Sequence, residues 1–406
     1  MKKAFLFLIT AIVLVGCSSN EPIAPVNEQN SDTLSPYTEI IERANWYYSQ
    51  LNKETRSASP KVRNIELLSN QATRSDVNDS IVNPIYYIVN YEDEAGFVML
   101  GGNESAEPLA AISDEGNLSF SDTTNNPGLA AFINEISNPT ITVPSPVLPV
   151  DSVTGMTFPK VKVDPLLDPM VRKWGKSAPF NQGLPILDNN GTHAKVNDTQ
   201  LSVLMVMTYY EWPNATLRAD FNYDWKGIKS TPTHSEIGEL LMRIGNDKSG
   251  LKVNYGITES TADQNNLIQG VYILGYGVER YGSARTLSNI KINDNDSVKN
   301  QLPMIMWGEN NNKKSTWVID GARSLISVYG HPIITKDYLH CVWGNYGRGN
   351  GYYLLTRLDK IGGNRSSKDQ TDSTYEGYGD SDKVPEFINN SYLYQIYPVV
   401  PPYPYN

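Results

Sequence analysis

The chain has 406 residues, 40% of them apolar and 19% charged, which excludes a fully disordered polypeptide and supplies material for about two to four domains. Asp plus Glu outnumber Lys plus Arg by 44 to 34, a net charge of -10 with histidine neutral. That balance, with no long basic run, excludes sequence-independent nucleic-acid binding.

Residues 1–17, MKKAFLFLITAIVLVGC, join Lys2 and Lys3 to an apolar run from Ala4 to Val15 that is too short to span a bilayer. The run closes on Leu14-Val15-Gly16-Cys17, the pattern of a bacterial lipoprotein signal peptide, and predicts acylation of Cys17. More than one acyl chain on one residue anchors stably, so the expected partner here is the membrane, reached through lipid at Cys17. Ser18 after the cysteine points to the outer membrane of the cell envelope. The only other cysteine is Cys341, so a lipidated Cys17 leaves no intramolecular disulfide.

Residues 18–35 are polar and read as a tether. Helical spacing over 36–54 puts Ile40, Ile41, Ala44, Tyr47, Tyr48 and Leu51 together, and 53–80 reads as a charged loop. Ile85–Val89 and Gly96–Leu100, separated by an acidic turn, predict a hairpin. A strand at Pro108–Ile112 and a helix at Gly128–Ile136 complete a first unit, 36–138. Pro139, Pro144, Pro146, Pro149 and Pro159 mark 139–163 as an interdomain linker.

The second unit is 164–406. Its clearest helix is Asp198–Tyr210, with Leu201, Leu204, Met205 and Thr208 on one face and Trp212-Pro213 as its stop. A second helix is predicted at Ser235–Ile244. Short apolar runs follow at Val271–Tyr281. Strands are predicted at Met304–Gly308, Thr316–Gly321, Leu325–Tyr329, Tyr338–Trp343, Tyr352–Leu355 and Tyr392–Val399, and residues 362–385 read as a loop. Helices first and strands after make the fold class α+β.

Several segments together resemble the streptopain (peptidase C10) family of papain-like cysteine proteases with a Spi-type inhibitor or propeptide domain in front. In the first unit they are Tyr86-Tyr87-Ile88-Val89-Asn90-Tyr91 and Gly96-Phe97-Val98-Met99-Leu100. In the second they are Trp174-Gly175, Ala178-Pro179-Phe180-Asn181, Met207-Thr208-Tyr209-Tyr210-Glu211-Trp212-Pro213, Trp317-Val318-Ile319-Asp320-Gly321, His340, Trp343-Gly344 and Asn350-Gly351-Tyr352-Tyr353. The resemblance implies a papain-like fold behind a smaller α+β Spi-like domain, which active relatives remove as a prosegment.

The family's chemistry needs a thiolate at a helix N-terminus, an imidazole to move its proton and a side-chain donor for the oxyanion. Carried over by the neighbouring motifs, the nucleophile falls at Asp198, the base at Ser315, the oxyanion-hole donor at Lys176 and the residue orienting the base at Val342. Composition agrees: no cysteine lies between 18 and 340, and the four histidines are His193, His234, His331 and His340. Neighbours on a strand point to opposite faces, so His340 and Cys341 are not expected to form a dyad.

Asp198 has two readings. As a carboxylate at the old thiol position it could bind a cation or an amine, or act as a base, with Lys176 and Ser315 nearby. As a structural residue it would cap the helix. Trp174, Trp317 and Trp343 are candidate cleft residues, a wall for a peptide or glycan. No cofactor or metal site is expected, since His193 lacks a partner at metal spacing and the acidic loop at 369–382 lacks the regular spacing of a calcium loop.

The expectation is a catalytically inactive, lipid-anchored homologue that binds peptides or a related active protease. The alternatives are an active cysteine peptidase of this family and a protease inhibitor acting through the Spi-like domain.

Overall fold

The computed structural model describes residues 26–27, 35–51, 60–69, 84–103, 105–137, 156–157, 163–214, 221–246, 248, 250–263, 266–272, 274–282, 303–310, 313–327, 335–358 and 392–398. The signal peptide and the acidic loop at 369–382 lie outside the described residues.

The strands are β1 (Val26–Asn27), β2 (Val62–Leu68), β3 (Tyr86–Tyr91), β4 (Phe97–Gly101), β5 (Leu109–Ser113), β6 (Met156–Thr157), β7 (Tyr276–Gly282), β8 (Met304–Asn310), β9 (Lys313–Ser327), β10 (Thr335–Val342), β11 (Gly351–Leu354) and β12 (Tyr392–Pro398). All described strands belong to one sheet, in the order β1-β2-β3-β4-β5-β11-β10-β9-β8-β12-β7, with β6 added against β9. The two units therefore share a sheet. They meet at β5 and β11, where Ile112 faces Tyr352 and Ala111 faces Tyr353 in antiparallel register.

Four helices matter to the site: α1 (Thr38–Leu51), α2 (Pro127–Ser137), α3 (Asp198–Tyr210) and α4 (Ser235–Ile244). α3 is buried along most of its length, from Thr199 to Thr208, as expected of a helix apolar on all sides. It packs in a core that the second unit builds alone, among Leu240, Leu241, Ile305, Val318 and Val342. The other two cores are composite. In one, Leu129, Phe132 and Ile136 of α2 lie with Met304, Met306, Trp317, Ile319, Cys341 and Trp343. In the other, Ala44, Tyr47, Tyr48 and Leu51 of α1 lie with Leu325, Tyr338 and Tyr352.

Three expectations change. Val62–Leu68, read as loop, is a strand, because its one acid on the inner face, Glu66, is buried while accepting from Ser119 Oγ at 3.0 Å and Phe120 N at 3.1 Å. The predicted strand at 316–321 and the described part of that at 325–329, residues 325–327, belong to one strand, Lys313–Ser327, and residues 328–329 lie outside the described residues. The polar middle that divides them in the sequence is accommodated in the core: Arg323 donates to Leu51 O at 3.0 Å and to Asp164 Oδ1 at 3.2 Å, and lies over the Tyr352 ring. The tether and the linker also supply strands, since Val26 pairs with Ile65 and Met156 with Ser327. Among the described residues no helix is long and apolar enough to cross a membrane.

Candidate functional site

The site is built at the N-terminus of α3. Asn197 has extended backbone, and its side-chain oxygen accepts from Thr199 N at 3.0 Å and Gln200 N at 3.3 Å. Gln200 returns the favour by accepting from Asn197 N at 3.2 Å, which closes a capping box. The cap is therefore Asn197, and the reading of Asp198 as the cap is corrected. Asp198 is the first helical residue, which frees its carboxylate to turn away from the first-turn amides. The Asn-x-x-Gln pattern at 197–200 was the sequence signal for this.

The Asp198 carboxylate is held from two sides. Its Oδ1 lies 2.7 Å from Lys176 Nζ, and its Oδ2 accepts from Ser315 Oγ at 3.0 Å. The three positions singled out in the sequence thus meet, although Ser315 lies 117 residues from Asp198. Each is placed by its own element. Lys176 follows Trp174-Gly175, and its carbonyl accepts from Val196 N at 2.8 Å, beside the helix start. The Tyr346 ring covers Gly175 so closely that a Cβ there would lie 2.4 Å from it and would push the ring aside. Tyr346 Oη accepts from Ser177 N at 2.9 Å and pins the segment. Ser315 lies on β9 opposite Gly308, and its neighbour Thr316 joins the strand to α3 through a 2.8 Å hydroxyl contact with Thr199.

Chemically this is a satisfied cluster. The positive end of the helix dipole and the Lys176 ammonium both stabilise the carboxylate. Ser315 spends its proton on Asp198 and has no imidazole hydrogen-bonded to it among the described contacts. The Lys176 and Asp198 side chains keep 21% and 17% of their surface, so the pair reaches solvent.

The tryptophans do not form the expected wall. Trp174 is 1% exposed and packs on Phe180. Trp317 and Trp343 are 1% and 4% exposed, with ring centroids 5.0 Å apart. α2 of the first unit covers them: a Cβ on Gly128 would lie 2.8 Å from Trp343 and 3.0 Å from Trp317. Aromatic area of this size is stable only when covered, and the first unit covers it. Val342 is also core, on the α3 side.

The remaining thiol and imidazole lie on β10. Cys341 is fully buried. Burial pushes its thiol well above the ordinary value, the Asp320 charge adds to this, and the Trp317 indole opposes it. His340 Nδ1 lies 2.6 Å from Asp320 Oδ1, with both side chains sealed from solvent. Asp320 also accepts from Leu167 N at 3.2 Å, so this pair holds down the segment that leads to Trp174. No local sequence signal marks Asp320 as the partner of His340, since the two lie 20 residues apart on neighbouring strands.

Elsewhere, His193 Nδ1 lies 2.8 Å from Leu184 O, and His234 caps α4. Among the described residues no group of three or more His, Cys, Asp or Glu could hold a metal ion.

Residues 37–139 match the family model of the Spi protease inhibitor, and residues 174–353 match that of the peptidase C10 family. No curated protein matches this chain. Among solved structures, a fragment of prointerpain A from Prevotella intermedia, carrying a cysteine-to-alanine mutation, is similar at 17% identity and a TM-score of 0.47, covering 76% of this chain and 94% of that one. The active wild-type interpain A cysteine protease of the same organism is similar at 18% identity and a TM-score of 0.35, covering 48% of this chain and 86% of that one. The second unit of this chain is a domain of the peptidase C10 family, preceded by a Spi protease inhibitor domain, and the fold class is α+β as the sequence predicts.

Proposed function

We propose that this chain is a catalytically inactive member of the peptidase C10 group, anchored through lipid at Cys17 to the cell envelope, where it acts as a binding protein for peptides or for an active relative. One observation carries the reading: the residue at the start of α3 is a carboxylate engaged by Lys176 and Ser315. The only cysteine of the second unit, Cys341, is buried away from it. A thiolate mechanism needs its sulfur exposed at an electropositive helix start, and a group of catalytic residues that acts as a unit loses about 10⁶ in turnover when one is removed.

The test is a peptidase assay on the purified protein with a thiol-directed inhibitor. The expected result is no cleavage that the inhibitor blocks. Cleavage that disappears with Cys341→Ala would overturn the reading. The anchor is tested separately. Cys17→Ser is expected to release the protein from the membrane fraction, and mature protein bearing an unmodified N-terminus downstream of residue 17 would refute lipidation.

A further inference from the structure

We infer that the first unit is a permanent half of this molecule, keyed to the second by charge and shared core, and not a cover that is removed or swings away. The inference does not depend on whether the second unit is catalytically inactive.

The first observation is the core. Two of the three hydrophobic clusters draw residues from both units. Taking the first unit away would bare Trp317, Trp343, Met306, Tyr338 and Tyr352 on the second, all now buried. Soluble proteins rarely leave a contiguous apolar face of that size open. It would also strip β11 of its β5 neighbour and leave an unpaired strand edge in place of a continuous sheet.

The second observation is charge. At the junction the first unit supplies acids and the second supplies bases. Glu107 lies 2.5 Å from Lys336 and 3.2 Å from Arg357. Glu115 holds Arg172 with two bonds, of 2.8 and 2.9 Å, a bidentate geometry. Asp122 lies 3.6 Å from Arg348, and Glu135 lies 3.9 Å from Arg357. Such sorting makes the face of the second unit that carries Arg172, Lys336, Arg348 and Arg357 complementary to one kind of partner, an acidic-rimmed unit of the Spi type.

The third observation is backbone capture outside the β5–β11 ladder. Tyr338 Oη donates to Leu109 O at 3.1 Å, Arg323 to Leu51 O at 3.0 Å, and Gly349 N to Asn117 O at 2.9 Å. These bonds are spread over α1, β5 and the segment before α2, so no single hinge releases the unit. A ligand of the α3 site would then reach it by the solvent-exposed side of Lys176 and Asp198, with the units docked.

The experiment uses the full chain with a site for a sequence-specific protease placed between residues 145 and 150. After cutting, the two pieces are expected to co-elute on size exclusion at about 0.1 µM, the range in which weak pairs fall apart. They are also expected to unfold in one transition. Separation on the column, or two transitions, overturns the inference. Hydrogen exchange on the uncut chain reads the same property without the cut. Amides of Ala111 and Ile112 are expected to exchange within about tenfold of those of Leu339 and Cys341, as members of one cooperative unit. Exchange of the β5 amides about a hundredfold or more ahead of β10 overturns it.

Discussion

Two regions of the second unit divide the ingredients of a cysteine-protease site between them. The start of α3 has the setting: a helix N-terminus, a neighbouring cation and access to solvent, but the side chain there is the carboxylate of Asp198. β10 has the atoms: a thiol, an imidazole and, across on β9, a carboxylate, all sealed in the core. In the first region the helix dipole and Lys176 stabilise negative charge. In the second, burial and Asp320 push the Cys341 thiol upward and keep it protonated. Reactivity thus follows the electrostatic setting and not the inventory of side chains.

The sharpest way to break this contrast is to exchange the atoms. Asp198→Cys places a thiol beside Lys176 at the helix start, where the thiolate is favoured. Alkylation with iodoacetamide, followed by mass spectrometry, is expected to modify that thiol at least about 10³-fold faster than Cys341 in the same molecule. Comparable rates at the two positions would show that the setting at α3 has been lost.

A second comparison asks which charged group stabilises the fold. Asp320→Ala removes the partner of His340 and leaves Leu167 N without its acceptor, and is expected to cost about 3 kcal/mol. Asp198→Ala breaks a pair that water already reaches and is expected to cost about 1 kcal/mol or less. Denaturant midpoints at constant slope measure both. A larger loss at Asp198 than at Asp320 would make the α3 cluster structural first.

The smallest effect concerns pH, and the junction between units supplies the reference. Burial alone would raise Glu107, but Lys336 and Arg357 outweigh it and hold its carboxyl below the ordinary value of 4.5. Its stabilisation is therefore complete above that ordinary value and is lost as pH falls through the folded one. Glu66 and Asp122 behave oppositely. Burial raises both, so their contribution is lost as pH rises through the folded values. Glu107→Gln is expected to lower the midpoint at neutral pH and to converge with the parent in acid. A gap that widens in acid would contradict the assignment.

Much of the local structure was legible. Helices at 198–210 and 235–244 follow from apolar spacing and their stops, and the β3–β4 hairpin follows from two apolar runs about an acidic turn. Val62–Leu68 was hidden because Glu66 interrupts its inner face, and its partners Ser119 and Phe120 lie more than fifty residues away. β9 is divided at Arg323 for the same reason, since a carbonyl that accepts from its guanidinium belongs to distant Leu51. At the site, the motifs selected Asp198, Lys176 and Ser315, but gave Asp198 the cap that Asn197 holds and left Trp317 and Trp343 facing a cleft.

The sequence by itself determined the periodic elements, the α+β class and the absence of any cysteine in the chain between 18 and 340. These depend on spacing within a few residues, or on composition, and need no knowledge of distant neighbours. Only the tertiary structure decided that Lys176, Asp198 and Ser315 satisfy one another, that Cys341 is sealed, and that two units separated by a proline-rich segment share one sheet. A buried polar group needs a partner, but nothing local says which, because the partner is set by how every other face of the chain finds its cover.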